Sequence, residues 1–208
     1  MLSARAIVDL QNLLTRTWHT VEVKNPSLKV GGPDSAWLER VARQHRANFD
    51  LWHIEDEARA PEATDTQLAE VKRRIDKTNQ LRNDLAERLD QFLMEWLGQQ
   101  GLPRGDAPLH SESPGLMIDR LSILALKIYH TREEAERMDA ATDHIDRNQK
   151  RLAILVEQRD DLGECLDALW RETLAGTRRF KIYHQLKMYN DPALNPSIYR
   201  SQRTTGGE

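Results

Sequence analysis

A single cysteine, Cys165, in 208 residues leaves no means of closing an intramolecular disulfide or building a cysteine-based zinc cluster. Its local sequence, DLGECLDAL, has no basic neighbour to activate a thiolate, so it reads as a small core residue on a helix. Glycine and proline are scarce, at 10 and 8, which removes the punctuation that many short strands need. With 30% charged residues, rich in Glu, Arg and Lys, the composition predicts helix and little or no strand. No apolar run of about 18 residues occurs, and Arg5, Asp9 and Arg16 break the N-terminal MLSARAIVDLQNLLTRTWHT. The expectation is a cytoplasmic protein without signal peptide or membrane insertion. A formal charge of -3 supplies no global basic field, which argues against nucleic acid as a partner. The GxSxG elbow, phosphate loop, dinucleotide fingerprint and HExxH motif are absent too. Proton transfer would therefore fall to a carboxylate or histidine, and a phosphate would be held by side chains or helix N-termini.

What is present is helical periodicity. Ile7, Leu10, Leu14 and Trp18 predict a first helix over 4–18. Asp34 or Ser35 caps a second, stopped by Pro61, and Asp65 caps a third over 66–97. Ser113 followed by Pro114 starts a fourth that runs to about Arg137. A fifth covers 143–174, and TRRFKIYHQLKMY predicts a short basic helix before the turn-rich, Pro-containing NDPALNPSIY. The reading is an all-α bundle of about five long helices in one domain, 1–200, with an ordered Pro-containing tail and a disordered end over 201–208. Helices two and three, and four and five, form two hairpins that make a four-helix core, with the first helix and the C-terminal segment packed around its ends.

Polar residues interrupt the apolar stripes. SPGLMIDRLSILALKIYH is apolar on nearly every face yet carries Asp119, Arg120, Lys127 and His130. A buried charge must be paired, so other helices or a ligand must answer these. On the second helix His45, Asp56 and Arg59 fall on the stripe of Phe49 and Trp52, with His53 and Glu55 beside it. On the third, Asn79 and Arg82 interrupt the line, with Asn83 adjacent; on the fifth, Asn148 and Arg159 do so. One reading is an ion-pair lattice that fixes helix register. The other is a cleft that binds a charged ligand. His53, Glu55, Asp56, Asp119 and His130 are potential metal ligands, but their spacing specifies no metal, so metal and cofactor stay unassigned. RRFKIYHQLKMYNDP adds Lys187 and Tyr189 in an anion-binding composition.

Together, LWHIEDEAR, TNQLRNDLAERLD, GLMIDRLSILALKIYH and RRFKIYHQLKMYNDPALNP resemble a bacterial family known only as a domain of unknown function, over about residues 5–200. IDRLSILALK also resembles a motif of a second uncharacterised bacterial family. The first resemblance implies an all-helical protein found near cell-envelope glycosyltransferase genes, and hence a role in surface-polysaccharide synthesis; it supplies no catalytic residues. The resulting expectation is binding of an anionic small molecule, a sugar phosphate or nucleotide-sugar, between the second, third and fourth helices. His53, Asp56 and Asp119 would serve in proton transfer, and Asn79, Arg82, Asn83, Arg120, Lys127, His130, Lys187 and Tyr189 in binding. The alternative is a non-enzymatic interaction protein that dimerises or docks a glycosyltransferase through its long helices, its buried charges being a structural network.

Overall fold

In a computed structural model, described over residues 2–20 and 35–184 with residues 186, 193, 194 and 196 beyond, the chain is all helical. The helices are α1 (Ala4–Thr20), α2 (Ser35–Glu57), α3 (Asp65–Gly98), α4 (Pro114–Ala135) and α5 (Thr142–Leu174). Among the described residues no strand forms, and β-type pairing is limited to one isolated parallel bridge between Leu109 and Arg179. None of these helices is long and apolar enough to cross a membrane.

Local chemistry sets the helix ends. Thr64, one residue before the expected cap, accepts from the Gln67 N–H, and the Gln67 side chain accepts from the Thr64 N–H, closing a capping box. Ser113 caps α4 with Pro114 in its first turn, as the sequence indicates. Gly176 ends the α5 turn at φ 71°, in the left-handed region that glycine adopts without strain.

The short basic helix does not form where it can be seen: residues 177–184 carry no helix. Phe180 is instead sunk into the core at 1% exposure. The backbone of the preceding residue pairs with the α3–α4 loop, with Arg179 N–H donating to Pro108 O (3.0 Å) and His110 N–H to Arg179 O (2.7 Å). Burying one large aromatic and pairing the loop outweighs the modest helix propensity of Phe, Ile and Tyr. The expected NDPALNP lock lies outside the described residues, apart from Ala193, Leu194 and Pro196.

The arrangement differs from a four-helix core with α1 at its end. α4 packs against each of the other four helices, and α1 lies lengthwise against α2, α4 and α5. That placement explains the composition of α4, whose Met117, Ile118, Leu121, Ala125, Leu126 and Ile128 are all buried. At its first turn α4 presses on α3: a Cβ on Gly115 would sit 2.3 Å from Ala86 O, a spacing only glycine permits.

Candidate functional site

Asp119 and Arg82 do meet, and a polar seam crosses the core from them to α1. Arg82 grips the Asp119 carboxylate through Nε (3.0 Å to Oδ1) and a second guanidinium nitrogen (2.9 Å to Oδ2). Gln44 and Asn48 of α2 also donate to Oδ1, at 2.6 and 2.9 Å. The second amide hydrogen of Asn48 goes to Ser122 Oγ at 2.9 Å. Ser122 is 2.7 Å from His45 Nδ1, and His45 Nε2 is 2.9 Å from Thr15 Oγ1. The Thr15 hydroxyl spends its one proton on Gln11 O at 2.8 Å. His45 must therefore donate from Nε2 to Thr15 and accept the Ser122 proton at Nδ1, which fixes a single neutral tautomer. Burial enforces that neutrality, pushing the His45 imidazole down to about 3. Only Arg82, with a side chain 24% exposed, carries the seam to solvent. Among the described residues the seam leaves the side-chain oxygens of Gln11 and Gln44 without a partner. Asp119, engaged at both oxygens, is held as an acceptor for protein donors.

The other acid–base candidates sit elsewhere. Asp56 is exposed and pairs with Arg59 at 3.1 Å, because α2 ends at Glu57 and its last turn projects beyond the core. His53 is half-buried in a box of rings: His19 at 5.1 Å, Phe49 at 4.5 Å and His130 at 6.1 Å between centroids. Burial and then the neighbouring His19 and His130 lower its pKa, against the pull of Asp56 and Asp50. His19 donates from Nδ1 to Thr15 O (2.7 Å), and His130 Nδ1 contacts Glu133 (2.9 Å). The Nε2 atoms of both are buried without a partner among the described residues. Even so, among the described residues no group of three His, Cys, Asp or Glu side chains is placed to hold a metal ion.

The expected binding residues scatter in the same way. Asn79 accepts weakly from Arg82 at 3.4 Å, and Asn83 is half-buried on α3. Arg120 and Lys127 are exposed on the far side of α4, where they line a groove against α5; Arg120 pairs there with Glu112 at 2.9 Å. Cys165, expected in the core, is exposed at the same groove, one position off the apolar stripe that ends in Leu166 and Leu169. Lys187 and Tyr189 lie outside the described residues.

A cavity of about 460 Å³ between α1, α4 and α5 gathers what the stripes did not reveal. Arg16, Arg132 and Arg159, one from each helix, line it with Asn12 and Tyr129. Arg159 is held by Asp160 at 2.7 Å, whereas Arg16 and Arg132 have no ion-pair partner among the described residues. The lining carboxylate, Asp9, is engaged by Arg5 at 2.9 Å. Tyr129 stacks on His19 at 4.3 Å, which joins the cavity to the imidazole box. Arg159 was visible in the sequence as an interruption of the α5 stripe. Arg16 and Arg132 were not, because an exposed arginine on a helix has no pattern of its own.

Fold and site thus define an all-helical protein with a polar seam through its core and an arginine-lined cavity beside it. The chain belongs to a family described as a protein of unknown function, DUF4254, whose model matches residues 38–182. No curated protein and no solved structure matches it.

Proposed function

We propose that this protein binds an anionic small molecule in the cavity between α1, α4 and α5. The observation that carries the reading is the meeting of three arginines from three helices on one cavity, two of them free of ion pairs among the described residues. Guanidinium groups stay charged at every physiological pH and match oxyanions through paired N–H donors. The cavity falls within the size range of small-molecule sites. The resemblance to a family near glycosyltransferase genes makes a sugar phosphate or nucleotide-sugar the first ligands to try, and a cytoplasmic step of surface-polysaccharide synthesis the setting.

The seam around Asp119 supports a second reading, a non-enzymatic helical protein whose buried charges fix how its helices dock. Melting temperature separates the two when measured against a panel of sugar phosphates, nucleotide-sugars and nucleotides, in the native protein, Arg132→Ala and Asp119→Asn. Ligand binding at the cavity predicts a concentration-dependent rise that Arg132→Ala loses and Asp119→Asn keeps. The reverse pattern returns the site to the cleft between α2, α3 and α4. No rise with any compound leaves the structural reading standing.

A further inference from the structure

We infer that the ligand of the arginine cavity presents a compact phosphoryl polyanion, a phosphate ester or diphosphate on a small organic body, an inference that rests on the binding reading above. Charge is the first argument. Arg159 and Asp9 already have partners in Asp160 and Arg5, so among the described residues the unpaired surplus of the cavity is two positive charges, on Arg16 and Arg132. A monocarboxylate would leave half of that surplus unanswered, whereas a phosphate monoester or a diphosphate carries about two negative charges at neutral pH.

Shape is the second. The arginines stand on three separate helices, so they border the cavity from three of its walls. A tetrahedral phosphoryl group offers oxygens in several directions, and a carboxylate offers two in one plane. Thr15 also lines the cavity, but its hydroxyl is committed to Gln11 O and His45, so it adds no donor. Leu13, Ala125 and Ile128 give apolar wall for a body larger than the anion itself.

The neighbouring groove limits the length of the anion. It shares Asp9, Asn12 and Arg159 with the cavity and continues along α1 and α5 past Asp160, Glu164 and Asp167. A long phosphate chain such as a nucleic-acid backbone would run onto Glu164 and Asp167, and like charges at short range repel it. A short anion that ends at the arginines avoids them.

Titration calorimetry of the full chain in chloride buffer tests this with pyrophosphate and malonate at matched ionic strength. Pyrophosphate is expected to bind at one site, at least about tenfold tighter than malonate, a difference of about 1.4 kcal/mol. Arg16→Ala and Arg132→Ala, both at exposed positions, should each weaken it at least about tenfold, and Arg43→Ala, in the groove between α2 and α3, should not. Equal binding of malonate would overturn the phosphoryl class and leave an anion site in place. Pyrophosphate binding that survives both cavity variants, or falls equally in Arg43→Ala, would overturn the assignment to this cavity. If neither probe binds and the compound panel raises the melting temperature no more in the native protein than in Arg132→Ala, the phosphoryl inference and the binding reading fail together.

Discussion

Two buried groups set opposite pH dependences on stability, and their near-cancellation can be undone by one substitution. His45 is neutral in the folded protein because burial holds its pKa at about 3, against 6.5 for an unrestrained imidazole. Below pH 6.5 the unfolded chain takes up a proton that the folded chain refuses, so the stability present above that value is lost as the pH falls. At pH 5, about 1.5 units below, the loss is about 2 kcal/mol at 1.36 kcal/mol per unit. Asp90 runs the other way. Burial raises its carboxyl to about 6, against 3.8, although the Ser113 hydroxyl and the Gly115 N–H both donate to it. The folded protein binds that proton more tightly, so Asp90 adds stability that is complete below 3.8 and lost as the pH rises through 6. Between pH 7 and 5 it recovers about 1.3 kcal/mol, leaving the native protein with a net change below about 1 kcal/mol from the pair. His53, also lowered, adds to the acid loss. Asp90→Asn keeps an acceptor for Gly115 and a polar partner for Ser113 but removes the compensating proton. Urea unfolding of native protein and Asp90→Asn at pH 7 and 5 should therefore show the variant losing about 2 kcal/mol, with native protein losing less than half of that. Equal losses in the two proteins would refute the opposition of Asp90 and His45.

Arg82→Ala leaves Asp119 buried without its cation, and should cost about 3 kcal/mol in urea unfolding; an unchanged denaturation midpoint would mean that the Gln44 and Asn48 amides hold the carboxylate without it. Gly115→Ala forces a Cβ to within 2.3 Å of Ala86 O, so α3 and α4 must part, at a cost of about 1–3 kcal/mol; an unchanged denaturation midpoint would refute the close approach. Cys165 is exposed and should react with a thiol reagent in native buffer at nearly the rate seen in urea, whereas protection of many fold would return it to the core.

The helices were legible because the period of 3.6 is written in apolar residues such as Ile7, Leu14 and Trp18, and because Ser113-Pro114 marks a start that depends on local chemistry alone. That Arg82 and Asp119 need partners was legible for a related reason, since each interrupts an apolar stripe and must be answered within the core, but not that they partner each other. Their companions were harder to see. Gln44 and Asn48 stand four apart beside the stripe of Val41 and His45, a spacing the eye assigns to the solvent edge until α4 is known to lie over it. The face of a charged residue on α4 was not legible at all. With every side of that helix covered or bordered by a neighbour, one residue of rotation separates the buried Asp119 from the exposed Arg120. Residues 177–184 misled for a different reason, since the burial of Phe180 is a long-range contact that outweighs local propensity.

The central position of α4 also sets an order on the making of the protein. α1, α2 and α3 leave the ribosome first, yet each buries side chains against a helix that spans Pro114–Ala135 and is synthesised only later. The α2–α3 hairpin can form early, but α1 has little to dock on until residue 135 has emerged, and the hydrogen-bonded seam from Thr15 to Asp119 cannot close before Ser122 arrives. A nascent chain halted before that point would leave Ile7, Leu14 and Leu93 without the helix that covers them, as one apolar patch open to association.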